Sequence, residues 1–206
     1  GVGIAACFEA LRVPWCEALA EAKNFNAANK ELRRGVGLAA GWYGCGNTSL
    51  PNPSTIKSGV RADGTIVLHQ GAMDIGQGAN TVISQIFAEA LGVDVHALEL
   101  VGADTDVTPD AGKTSASRQT FVSGNAARLS GLALRAEILR RCNLDSATAW
   151  ISTNRGLITV SDGSALNTIS LSDLHADADG FVLRAEESYD PPTEPLDENG
   201  QGAPYA

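Results

Sequence analysis

Between residues 65 and 104 the sequence "TIVLHQGAMDIGQGANTVISQIFAEALGVDVHALELVGAD" changes its hydrophobic period twice. The stretch "TIVLHQG" (65–71), which follows the turn signal "RADG" (61–64), is apolar and β-branched and reads as a strand. "TVISQIFAEALG" (81–92) places Val82, Ile83, Ile86, Phe87, Ala90 and Leu91 on one helical face, with Gly92 as its C-terminal stop. "ALELVGAD" (97–104) reads as a strand again. A strand–helix–strand unit narrows the architecture to α/β or α+β with a mixed sheet.

The rest of the chain fits around that unit. Residues 13–34 read as a helix with Pro14 in its first turn and Trp15, Leu19, Ala22 and Phe25 at helical spacing, ended by Gly35. "GVGLAAGWYG" (35–44) reads as a buried strand of small residues. Residues 118–142 read as a long helix on which Gly124, Ala126 and Gly131 leave room for another backbone. A hairpin is expected over 149–163, a short helix over 170–174 capped by Ser172, a strand over 181–189, and coil from Asp190 onward. At 206 residues and 44% hydrophobic content the chain can bury a sizeable core, and it reads as a single domain.

Composition excludes several function classes. The net charge of −9 comes with no Lys/Arg cluster beyond Arg33–Arg34 and Arg140–Arg141, which argues against nucleic-acid binding. No apolar run approaches the roughly 20 residues of a membrane span. The start shows no signal peptide. Cys7, Cys16, Cys45 and Cys142 lack CxxC spacing, so they read as free thiols in a reducing compartment, cytoplasmic with a periplasmic location as the open alternative, and not as a zinc or iron–sulfur site. The chain begins with Gly and stops on "ENGQGAPYA", which reads as a piece of something longer.

Two stretches carry candidate chemistry. In "GAMDIGQGANT" (71–81), Gly76 and Gly78 flank Gln77 where a strand hands over to a helix. Glycines there let backbone approach a ligand, the N–H groups at the helix start can face an anion, and Gln77 can donate and accept at once. A tight turn without a ligand gives the same pattern. In "GKTSASRQTFVSGNA" (112–126), Thr114, Ser115, Ser117 and Thr120 gather hydroxyls at a helix start beside Arg118 and Gln119. That suits a second anion cradle, or ordinary capping by Ser115 or Ser117. It is not a Walker A loop, since no G-x-x-x-x-G precedes Lys113. His69 reads as a packed or edge histidine, His96 and His175 as solvated. Asp106 reads as a loop residue that caps local N–H groups, Glu187 as a strand residue without a site motif, and Cys45 as a small apolar filler.

Taken together, "GQGANTVISQIFAEALGV" and "DTDVTPDAGKTSASRQTFVSGNA", in this order and spacing, resemble the molybdenum-binding subunit of the xanthine dehydrogenase/aldehyde oxidoreductase family, nearest to the bacterial aldehyde oxidoreductases. "RRGVGLAAGWYGCG" and "GQGAPYA" are similar to that family too, and the resemblance is best over residues 30–145. It implies that residues 1–206 are part of a molybdopterin-binding domain, with the cofactor often in a cytosine dinucleotide form. It implies that Gly76, Gln77 and Gly78 form the glycine-flanked turn whose amide approaches the molybdenum centre. Ala116 would bring its backbone to the metal centre, and Ser117, Arg118 and Gln119 would hold pterin and phosphates. Asn47 and Thr48 fall where the family lines its substrate channel. The implied activity is hydroxylation of aldehydes or N-heterocycles with water-derived oxygen. The implied partners are the remainder of a large subunit and an iron–sulfur domain or subunit, with flavin elsewhere in a homo- or hetero-oligomer. The family's general-base glutamate lies downstream of this chain, and two further cofactor loops lie upstream. Two rival readings stay open at this point: a cofactor-free scaffold domain of the same fold, and an unrelated anion- or nucleotide-binding α/β domain.

Overall fold

The computed structural model describes residues 3–41, 43, 44, 46, 47, 49–144, 148–203 and 205. Where the sequence reads as one domain, the chain packs as two compact units, 1–43 and 44–206.

The first unit is built on α1 (Ile4–Ala28). It starts nine residues before the helix expected from Val13, because "IAACFEALR" is itself rich in strong helix formers. Pro14 therefore lies inside the helix rather than in its first turn. The helix ends at Asn29, short of Gly35, because Asn26 draws the chain back: its side chain donates to the Arg34 carbonyl at 2.9 Å and accepts the Arg34 N–H at 2.8 Å. The strand expected over 35–44 does not form among the described residues. Among its described residues that unit holds no other strand to pair with it, and an unpaired strand leaves its backbone groups unmet. Trp42 lies outside the described residues.

In the second unit, β1 (Ser54–Arg61) and β2 (Ile66–Gln70) form an antiparallel hairpin. Asp63 accepts the Thr65 N–H within its turn. β2 leads into α2 (Ala79–Leu91), and α2 returns the chain to β3 (Leu98–Gly102), parallel to β2. After α3 (Gln119–Arg141), a separate antiparallel meander forms from β4 (Trp150–Asn154), β5 (Leu157–Ser161) and β6 (Leu166–Ser170). β7 (Phe181–Tyr189) then pairs antiparallel with β1, which gives the order β3-β2-β1-β7 and the expected mixed sheet.

α3 lies across β1 and β7 and packs against α2. The core between these layers includes Ile56, Val60, Ile66, Leu68, Ile83, Phe87, Leu91, Leu134 and Ile138. Two hydroxyl pairs meet the serines buried between α3 and β1: Ser54 with Ser123 at 2.7 Å, and Ser58 with Ser130 at 2.8 Å. The gap at Gly131 is used as expected, since a Cβ there would lie 2.9 Å from the Phe87 carbonyl oxygen.

Some local expectations need correction. β1 and β6 were not apparent from periodicity. The helix over 170–174 is a 3-10 turn, Leu171–Asp173, that holds Ser172 inside it, and no side chain caps it. Asp104, not Asp106, is the loop's cap: it accepts the Asp106 N–H at 3.0 Å. His69 packs as expected, buried edge-on to Phe181 and hydrogen-bonded to the Val107 carbonyl. Cys7, Cys16 and Cys142 are free thiols, and Cys45 lies outside the described residues.

Candidate functional site

The strand-to-helix turn is held by its own side chains. Gly76 and Gly78 adopt φ of 105° and 85°, which side-chain-bearing residues rarely reach. Gly78 occupies the N-cap position of α2. The carboxylate of Asp74 accepts the N–H groups of Gly76 (2.9 Å), Gly78 (3.3 Å) and Asn80 (3.0 Å). Those bonds hold the Asp74 carboxyl below the usual carboxylate range, with the Asn80 and Gly76 N–H groups foremost. Two of the N–H groups at this helix start, those of Gly78 and Asn80, are therefore already met by an internal anion. Gln77 is exposed, but its amide folds back: Oε1 accepts the Ile75 N–H at 2.7 Å and Nε2 donates to the Met73 carbonyl at 3.3 Å.

The second stretch is organised differently. Ala116 and Ser117 are consecutive non-glycine residues in the left-handed region, with φ of 54° and 60°. Each costs on the order of 1–2 kcal/mol, and such strain persists only where the surroundings fix it. Here they are fixed on both sides. The Ala116 carbonyl accepts the Gly46 N–H at 2.6 Å. On the other side Arg118 is fully buried, and its guanidinium donates to the carbonyls of Ala111 (2.5 Å), Lys113 (2.9 Å), Asn52 (3.0 Å) and Pro53 (2.9 Å). Burial pulls its pKa down, while Tyr205, Asp110 and Asp190 push the other way. Gln119 is also buried. It donates to the Lys113 carbonyl (3.1 Å) and to Thr114 Oγ1 (3.3 Å), and accepts from Ser123 Oγ.

This changes the roles expected of the 116–119 segment. The Arg118 and Gln119 side chains turn inward and brace the loop through its carbonyls. The capping alternative also fails, because Arg118 sits at the N-cap of α3 and no side chain caps that helix. The exposed Ser117 and Thr120 are what this segment presents outward, while Arg118 and Gln119 are buried and the Arg118 N–H donates to the Ser115 carbonyl at 3.2 Å. Ser117 lines a groove of about 460 Å³ with Thr120, Phe121, Gly124, Asn125, Arg128 and Ile86.

The structure brings the two candidate stretches together. The Met73 carbonyl accepts from Gln77 Nε2 and, at 2.8 Å, from Thr114 Oγ1. Gly71 permits this approach: a Cβ there would lie 2.3 Å from the Pro109 carbonyl oxygen. Gly71→Ala is expected to force the 105–111 loop away and to cost about 1–3 kcal/mol, read from the denaturation midpoint. A loss below about 0.5 kcal/mol would show that the loop is free to shift.

Asn47 borders the same place. Its N–H donates to the Tyr205 hydroxyl at 3.3 Å, and its Nδ2 donates to Asn52 Oδ1 at 3.4 Å. Tyr205 also accepts from Asn52 Nδ2 and stacks on Phe121, with ring centroids 5.4 Å apart. Thr48, the other channel candidate, lies outside the described residues. Sequence reasoning missed Asp74, Asn52 and Tyr205. For Asp74 a signal existed, since an aspartate two residues before a glycine is a common turn acceptor. For Asn52 and Tyr205, 153 positions apart, there was none.

Residues 10–206 match the model of the molybdopterin cofactor-binding domain family. The chain is 35% identical over 208 residues to the xanthine dehydrogenase molybdenum-binding subunit of Escherichia coli O157:H7, covering 94% of this chain and 27% of that protein. It is 34% identical over 122 residues to the aldehyde oxidoreductase of Megalodesulfovibrio gigas, covering 58% of this chain and 13% of the relative. Among solved structures, the aldehyde oxidoreductase from Desulfovibrio desulfuricans aligns over all of this chain and 20% of its own, with a TM-score of 0.53 and 26% identity. The chain thus spans about a quarter, or less, of the length of these relatives. With a family match that runs from α1 through the tail and takes in both candidate loops, the chain belongs to the molybdopterin cofactor-binding domain family.

Proposed function

We propose that this chain supplies part of the molybdopterin cradle of a molybdenum hydroxylase that oxidises aldehydes or N-heterocycles with oxygen from water. The observation that carries the reading is the junction at the Met73 carbonyl, which ties the Gln77 turn to the Thr114–Gln119 segment. Two loops distant in sequence are thereby held as one surface.

The residues present fit such a group on one side more than the other. The start of α3 is uncapped and lies beside a polar hydroxyl and an open groove, which suits the cofactor's anionic tail. The start of α2 is filled by Asp74, so Gln77 contributes there through its amide rather than through a helix N-terminus. Bound molybdopterin would supply the two-electron redox chemistry. The chain's own residues would bind and orient: Ser117 and the first-turn N–H groups of Thr120 and Phe121 would hold the cofactor, the backbone at Ala116 would approach it, and Gln77 would orient its metal centre. Arg118 and Gln119 keep the Ala116–Ser117 backbone in its strained shape. Asn47, fixed by Tyr205 and Asn52, borders the route by which a substrate arrives.

The general base and the iron–sulfur relay belong to other parts of the full-length enzyme or its partner subunits, and the free thiols suit a reducing compartment. Among the described residues, no helix is long and apolar enough to cross a membrane.

Ser117→Ala in the full-length protein tests the reading. Because Ser117 does not cap α3, its loss should change stability by less than about 0.5 kcal/mol while molybdenum per polypeptide falls. Unchanged molybdenum would remove Ser117 from the cradle.

A further inference from the structure

No neighbour crowds the two glycines of the Gln77 turn. Cβ positions built at Gly76 and Gly78 meet no atom within 4 Å, and both glycines sit at φ values where the backbone is otherwise free to wander. The shape is therefore set by hydrogen bonds. Gln77 provides two of them, to the Ile75 N–H and the Met73 carbonyl. Asp74 provides three, to the N–H groups of Gly76, Gly78 and Asn80. Asn80 is itself anchored to the sheet, because its Oδ1 accepts from Nε2 of the fully buried Gln70.

If the Gln77 amide serves the cofactor, it must give up its two local bonds. Within the turn, Asp74 is then the side chain that still holds the Gly76, Gly78 and Asn80 N–H groups, with Thr114 holding only the Met73 carbonyl from outside. We propose that Asp74 is the positioning residue of the Gln77 turn: its carboxylate, braced through Asn80 to Gln70, keeps the turn closed while the Gln77 amide exchanges its local partners for the cofactor. This rests on the molybdopterin reading above. It assigns Asp74 no contact with cofactor or substrate. It also gives the internal anion at the start of α2 a purpose, since a turn filled by its own carboxylate keeps its shape whether or not a ligand is bound.

The test uses Asp74→Ala and Asp74→Asn in the full-length protein. In cofactor-free protein, amide exchange at Gly76, Gly78 and Asn80 should accelerate about tenfold or more in the Ala variant, with the interior of α2 unchanged. In loaded enzyme, kcat per bound molybdenum should fall by about tenfold while KM stays within about twofold. Asp74→Asn keeps the Oδ1 acceptor used by Gly76 and Gly78, so it should recover most of both losses, and it serves if the Ala variant does not fold. Unchanged exchange at the three amides overturns the proposal. So does accelerated exchange with parental kcat per molybdenum. A parent protein without molybdenum overturns the functional reading and the positioning role together. Accelerated exchange in the Ala variant then distinguishes that failure from a failure of the Asp74 bonds themselves.

Discussion

Gln77→Ala in the full-length enzyme is expected to keep its molybdenum and to lose about 10²-fold or more in kcat. Gln77 is exposed, and its two bonds are both within its own turn. As a turn residue alone, it could be lost for about 1 kcal/mol or less, because exposed polar groups re-pair with water. Asp74 would still hold Gly76, Gly78 and Asn80, so the turn and the cofactor should survive the change. A donor that stabilises charge developing during the reaction is worth far more than its cost to folding. Metal content by mass spectrometry beside steady-state kinetics on an aldehyde separates the two roles. Near-parental kcat with full molybdenum would leave Gln77 as a turn residue.

Arg118→Met should have the largest effect on stability, about 3–5 kcal/mol. Met fills similar volume but cannot donate to the carbonyls of Asn52, Pro53, Ala111 and Lys113. Of these residues Asn52 and Ala111 are buried, so their carbonyls would have little water to turn to. Arg118→Lys should not rescue, because one ammonium cannot replace a planar fork that spans two chain segments. The left-handed pair at Ala116 and Ser117 would lose its anchor as well, so molybdenum content should fall together with the denaturation midpoint. A loss under about 1 kcal/mol would mean that the four carbonyls find other partners.

The parts of the fold legible in the sequence are those where pattern and burial coincide. The 65–104 unit was readable because its apolar period matches the faces that pack, and Gly92 ends α2 in the left-handed conformation its position requires. β1 was not readable: "STIKSGVR" carries two serines, a lysine and a glycine, yet it is almost wholly buried as a central strand. Its serines are buried because Ser123 and Ser130 on α3 meet them, a long-range fact that no local period encodes. The glycine-rich 35–44 stretch looked like a strand because small apolar residues suit close packing, but a strand needs a neighbour.

The site was half legible. Gln77 and the Ala116–Gln119 segment could be picked out as candidates, but the direction of Arg118 and Gln119 could not, since a sequence does not show which way a side chain turns. The acidic balance has a local explanation too. Asp63, Asp74, Asp94, Asp104, Asp110, Asp162, Asp177 and Asp197 each accept the N–H two residues on, so much of the negative charge builds turns rather than recognising a ligand.

The most direct measurement is the molybdenum and pterin content of the purified full-length protein, by mass spectrometry of the metal and fluorescence of the oxidised pterin. The expected result is near-stoichiometric molybdenum with a matching amount of pterin, both reduced in Ser117→Ala and retained in Gln77→Ala. A folded parent protein that carries neither molybdenum nor pterin, when expressed where the cofactor is made, would contradict the cradle and leave the joined loops of Gln77 and Ser117 as architecture alone.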